Sequence, residues 1–128
     1  MRPLARWLQH INMSELISVK NAPHFLWGET CSGWWLKQNG LFTVISEMMP
    51  QGTSEKRHFH AYTEQLFYCI DGVLSIEVYG REHILHVGDS LTIQPGAPHR
   101  AFNSSNANTH FLVISCPNSH EDRVDLVE

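Results

Sequence analysis

The chain has 128 residues, 42% of them apolar and 17% charged, with 9 Lys and Arg against 13 Asp and Glu for a formal charge of −4. That length fits one domain able to bury about two-thirds of its unfolded surface, and the composition excludes disorder, collagen-like repeats and long coiled coils. A mildly acidic domain binds polyphosphate poorly, which argues against nucleic acid as a partner. No apolar run approaches the roughly 18–20 residues that cross a bilayer, so the reading is a soluble protein.

Leu4, Trp7, Leu8 and Ile11 recur at helical spacing and predict a short amphipathic helix within an N-terminal extension of residues 1–20. The start lacks the apolar stretch and cleavage site of a secretory signal. Arg2 and Arg6 with no acidic residue before Glu15 keep a transit segment open, and Met13 is an alternative start. Residues 21–39 are rich in glycine, aromatics and turn formers, which predicts short strands and loops. Phe25, Trp27, Trp34 and Trp35 read there as a dimer contact or barrel closure, or with one ring walling a pocket.

From Leu41 the pattern changes to short β-prone runs separated by turn signals: Leu41–Met49, Lys56–His60, Gln65–Ile70, Val73–Tyr79, His83–Val87, Ser90–Gln94, His99–Asn103 and His110–Ser115. Asp71-Gly72 between two such runs is a hairpin signal, because the tight turn needs positive φ. Many short strands with no helical period between them predict an all-β antiparallel barrel or sandwich over residues 21–118, with 119–128 as a charged tail. Cys31, Cys69 and Cys116 are odd in number without CxxC spacing, which fits a reducing compartment and a cytoplasmic location.

Nine histidines equal all the lysines and arginines together, and imidazole is the commonest metal-binding side chain. His58 and His60 stand two apart on one predicted strand, so both face the same side. Glu64 and Gln65 follow with oxygen donors, and His99 opens a distant strand. Two histidines on one strand, an oxygen donor on the next and a third histidine from elsewhere suit a transition metal in a small barrel.

The stretch from Gly52 through His58, His60, Glu64 or Gln65 to Gly72 resembles the first cupin motif, G-x5-H-x-H-x3/4-E-x6-G. The stretch from Gly88 through Gln94-Pro95-Gly96 and His99 to Asn103 resembles the second, G-x5-P-x-G-x2-H-x3-N, with Gln94 where the motif has proline. The resemblance implies a cupin-type jelly-roll β-barrel with a metal in its mouth, and a homodimer as in other small cupins. Counting back from Gly72 selects Gln65 as the oxygen ligand, and counting forward from His60 selects Glu64. Adjacent strand residues face opposite sides, so only one can serve, and hairpin geometry favours Gln65.

The ligand set is then His58, His60, Gln65 and His99, all uncharged, which admits Zn, Ni, Fe, Co or Cu. Cupins of this size, including those described as phosphomannose-isomerase-like, suggest a metal-dependent isomerase or epimerase on a small polar metabolite, with Lewis-acid stabilisation of an enolate or alkoxide. Glu64 or Glu47 is the candidate general base. An O2-dependent dioxygenase and a non-enzymatic binding or sensor module are the alternatives. Sugar-phosphate specificity has little support, since only Lys56, Arg57 and Arg100 offer cations on the barrel strands. His83, His86 and His110 read as surface or structural, His10, His24 and His120 as incidental, Cys69 as core, and Asn103 as either a strand-end cap or a partner to a ligand.

Overall fold

The computed structural model describes residues 14–118 and 122–127. The predicted N-terminal helix, His10 and His120 lie outside them. The described residues form an all-β architecture of eleven strands: β1 (His24–Trp27), β2 (Cys31–Gln38), β3 (Thr43–Met49), β4 (His58–His60), β5 (Glu64–Asp71), β6 (Leu74–Val78), β7 (Arg81–Leu85), β8 (Ser90–Ile93), β9 (His99–Phe102), β10 (Thr109–Cys116) and β11 (Arg123–Asp125). They pair antiparallel in two sheets, one of six strands in the order β1-β2-β3-β10-β5-β8 and one of five in the order β11-β4-β9-β6-β7. No helix among the described residues is long and apolar enough to cross a membrane.

Strand alternation places the core between the sheets. Along β10, Thr109, Phe111, Val113 and Ser115 are buried while His110, Leu112 and Ile114 turn to the half-exposed outer face. Phe67, Cys69, Phe111, Val113, Met49 and Ile93 meet Leu74, Ile76, Leu85 and Ala101 from the opposite sheet. A fully buried side chain such as Phe111 or Leu74 contributes about 1.5–3 kcal/mol.

The Asp71-Gly72 hairpin forms as the sequence predicts. Gly72 has φ of 79°, and a Cβ there would meet the Asn108 carbonyl oxygen at 2.5 Å, so both conformation and space require glycine. Some ends differ from expectation. β7 runs over Arg81–Leu85 rather than His83–Val87, because Tyr79 and Gly80 turn the chain at positive φ and Asp89 Oδ2 draws the His86 amide into the next turn at 2.9 Å. The expected charged tail contributes a strand: β11 pairs with β4, Arg123 opposite His60 and Asp125 opposite His58.

Inward polar residues cluster. Gln65 and Ser115 are register partners, as are His58 and His99. The starts of β5 and β9, the end of β10 and the whole of β4 therefore bring polar side chains together, while the middle of the barrel is apolar.

Candidate metal centre

β4 is only three residues long, and its alternation buries His58 and His60 while Phe59 is half-buried. His99 pairs with His58 across β4 and β9, and the two ring centroids lie 4.4 Å apart. His60 lies 5.1 Å from His58 and 6.0 Å from His99 by the same measure. One ligand atom from each of the three lies within 4.8 Å of the other two.

The tautomers follow from the hydrogen bonds. His58 Nδ1–H donates to Lys56 O at 2.8 Å and His99 Nδ1–H to Ala97 O at 2.9 Å. A carbonyl oxygen only accepts, so the hydrogen sits on Nδ1 and Nε2 keeps its lone pair. His60 Nδ1 lies 3.0 Å from Asp122 Oδ1, and a carboxylate oxygen accepts, so Nδ1 carries a hydrogen there too. His60 Nε2, His99 Nε2 and Gln65 Oε1 are buried with no hydrogen-bond partner.

An unpartnered buried polar atom costs about 1–3 kcal/mol, and three of them gathered from β4, β5 and β9 fit a cation. Burial pushes His58 and His99 down to about 4, so both rings are neutral near pH 7, as metal ligation requires. Neutral imidazole and amide donors suit Zn, Ni, Fe, Co or Cu.

His58, His60 and Gln65 border a cavity of about 880 Å³, whose wall also includes Glu47, Glu55 and Arg123. Glu47 points inward from β3, with Phe111 opposite it on β10 and Gly33 on β2. Burial, then the Glu55 carboxylate, pushes it up to about 8 against the opposing pull of Arg123. Glu55 is also raised, by burial, although it accepts a hydrogen bond from Ala101 N at 2.9 Å. Asp122 is held low: burial works against its charge, but donors from the Tyr62–Thr63 turn and His60 outweigh it.

Glu64 is a correction. It is exposed on β5 and absent from the cavity wall, because it alternates with the buried Gln65. Its side chain lies on the face of β5 opposite to that of Gln65. Asn103 caps the end of β9: its Nδ2 donates to Met49 O and Ala107 O at 2.9 and 2.8 Å, and its Oδ1 accepts from Ser105 N at 3.0 Å. Cys69 is buried, with its thiol against the Gly72 carbonyl at 3.5 Å.

The aromatic group divides. Phe25, Trp27 and Trp35 line the cavity, while Trp34 alternates to the other side and packs on His24 at 5.1 Å. His86 is exposed, and His83 and His110 are half-buried on β7 and β10. Sequence reasoning missed Glu55, Ser115, Asp122, Arg123 and Asp125. Glu55 precedes β4, where strand parity does not apply, and residues 122–125 carry a single β-branched residue in a charged run.

The Cupin domain model matches residues 44–115, more than half of the chain, and the protein belongs to the cupin family. Over 61 residues the chain is 33% identical to quercetin 2,3-dioxygenase of Bacillus subtilis (strain 168), covering 48% of this chain and 18% of that protein. The chain spans between 18% and 65% of the length of the curated relatives it matches.

Among solved structures, a cupin-superfamily sugar phosphate isomerase from Silicibacter pomeroyi DSS-3 superposes with a TM-score of 0.72 at 18% identity, over 81% of this chain and 76% of that one. The polyketide cyclase RemF from Streptomyces resistomycificus superposes with a TM-score of 0.76 at 19% identity, over 91% and 89%. At these identities the likeness is one of fold.

Proposed function

We propose that this cupin is a metal-dependent enzyme of the isomerase or epimerase type, with His58, His60, Gln65 and His99 holding one divalent transition metal and a small polar metabolite bound in the adjoining cavity. The observation that carries this reading is the set of buried, unpartnered donor atoms, His60 Nε2, His99 Nε2 and Gln65 Oε1, around a cavity that also presents Glu47. A divalent ion held there supplies Lewis acidity toward a carbonyl or hydroxyl oxygen.

Glu47 supplies the proton chemistry. With a pKa near 8 it is mostly protonated at neutral pH and able to give or take a proton at its carboxyl oxygen, a role worth about 10²–10⁴-fold in rate. Phe25, Trp27 and Trp35 provide an apolar wall against which a small ring or chain lies and from which water is displaced. Arg123, also on the wall, opposes the charge of Glu47 and Glu55.

A second reading, an O2-dependent dioxygenase with Fe, Ni or Cu, draws on the likeness to quercetin 2,3-dioxygenase. The proposed protein partner is a second copy of this chain in a cytoplasmic homodimer. The outer face of the six-stranded sheet suits it, since Val44, Met48, Leu66, Tyr68, Ile70, Leu112 and Ile114 leave apolar surface exposed there.

The test is elemental analysis of protein purified without added metal, followed by incubation with hydroxy-carbonyl compounds in D2O under an oxygen electrode. Stoichiometric metal with solvent deuterium entering the substrate and no O2 uptake supports the isomerase reading. Substrate-dependent O2 uptake supports the dioxygenase, tight binding without turnover points to a sensor, and absence of metal rules out both enzymes.

A further inference from the structure

His58 and His99 are fixed by carbonyls two residues upstream in their own segments. His60 is fixed from a distance. Its Nδ1 lies 3.0 Å from Oδ1 of Asp122, which stands 62 residues further along the chain. The other carboxylate oxygen accepts from Tyr62 N at 2.8 Å and Thr63 N at 2.9 Å. The Asp122 carbonyl accepts from Ala61 N at 3.1 Å, so the residue is fastened to the turn after His60 by both backbone and side chain. The bond is shielded, with side-chain exposures of 5% for His60 and 10% for Asp122.

We propose that Asp122 is the positioning residue of the site, its carboxylate fixing His60 as the Nδ1–H tautomer so that the buried, unpaired Nε2 keeps its lone pair as a metal donor. The part of this inference that concerns metal rests on the reading of the preceding section. Three N–H donors converge on the two oxygens, one on Oδ1 and two on Oδ2. Only a carboxylate has acceptors on both sides; an amide would turn an NH2 group against a donor. A carboxylate acceptor also makes the far nitrogen of an imidazole a better ligand than a carbonyl does. β11, whose three residues are all exposed, is thereby part of the site, because pairing of Arg123 with His60 holds Asp122 in place.

The experiment compares wild type with Asp122→Asn and Asp122→Ala, and with Val124→Ala as a strand control. Ring 15N shifts of His60 are recorded in metal-free protein, and Co(II) affinity and visible spectrum are measured by titration. The expected result is Nδ1–H at His60 in wild type and Val124→Ala, with Nε2–H appearing in both Asp122 variants. Those variants should also bind Co(II) about 10–100-fold more weakly with a shifted visible band.

Wild-type tautomer and wild-type Co(II) affinity in the Asp122 variants would overturn the inference. Nε2–H at His60 in the wild type alone would do the same, even where a variant does not fold. If the wild type takes up no Co(II) while the His60 tautomer still follows Asp122, the metal reading fails and the positioning role stands.

Discussion

Gln65 and Ser115 stand opposite one another on β5 and β10, and the Gln65 amide nitrogen donates to Ser115 Oγ at 3.0 Å. The contact commits one end of the amide and leaves Oε1 buried and unpartnered. Gln65→Glu replaces a neutral oxygen donor by a charged one that Ser115 still reaches through its hydroxyl. Co(II) or Zn(II) affinity, measured by chelator competition, should rise at least about tenfold, or ~1.4 kcal/mol, and Ser115→Ala should lower it. An unchanged affinity in Gln65→Glu would move the oxygen donor to Glu47 or Glu55, since Glu64 faces outward.

Glu47 carries a stability cost that should be visible without any substrate. Its pKa is raised from the ordinary carboxyl value to about 8. Between those two pH values the native state therefore holds a proton that the unfolded chain has lost. Its contribution is complete below about pH 4.5 and is lost as pH rises through 8, with a slope of up to about 1.4 kcal/mol per pH unit. Urea melts of metal-free Glu47→Gln should match wild type near pH 4.5 and gain stability over it progressively toward pH 8, while turnover falls about 10²–10⁴-fold. Parallel stability curves for the two proteins would contradict the burial of this carboxyl.

His58 and His99 shift in the other direction, down to about 4. Between about pH 6.5 and 4 the unfolded state binds protons that these buried rings refuse, so their contribution is present above pH 6.5 and lost as pH falls through 4. Protons consequently compete little with metal at either ring above pH 5. Two histidines of ordinary pKa would each weaken binding about 25-fold between pH 7 and pH 5, or about 600-fold together. Co(II) affinity at the two pH values should therefore differ by well under about 600-fold, and a loss of that size or more would contradict the burial of these rings.

Phe25 and Gly33 are register partners on β1 and β2, and a Cβ on Gly33 would run into the Phe25 ring. Gly33→Ala should expel that ring from the cavity wall, costing about 1–3 kcal/mol in chemical melts and weakening substrate binding more than metal binding. Equal loss of both would mean that the substitution collapses the site as a whole.

Much of the barrel was legible because its signals are local. Alternation from Thr109 to Ser115, the Asp71-Gly72 turn and the two-residue spacing of His58 and His60 each follow from one segment read alone. Parity also put Glu64 and Gln65 on opposite faces, as they lie on β5. β11 was not legible: Arg123-Val124-Asp125 has no apolar face, and it is a strand only because β4 lies beside it. Asp122 escaped for the same reason, since its role depends on a partner 62 residues away. Glu55 sits before its strand, where alternation says nothing about direction. The aromatic group was half legible, because the sequence shows the rings but not the pairing of β1 with β2 that turns Phe25, Trp27 and Trp35 inward and Trp34 outward.

The most direct measurement is an anomalous-difference map from crystals of protein purified without added metal, collected at the absorption edge of the metal found by elemental analysis. The predicted result is one peak per chain about 2.0–2.3 Å from Nε2 of His58, His60 and His99 and from Oε1 of Gln65, absent in a His58→Ala/His60→Ala variant that keeps its β-rich circular dichroism. A peak held by other residues, or none in crystals of the wild type, would contradict the account.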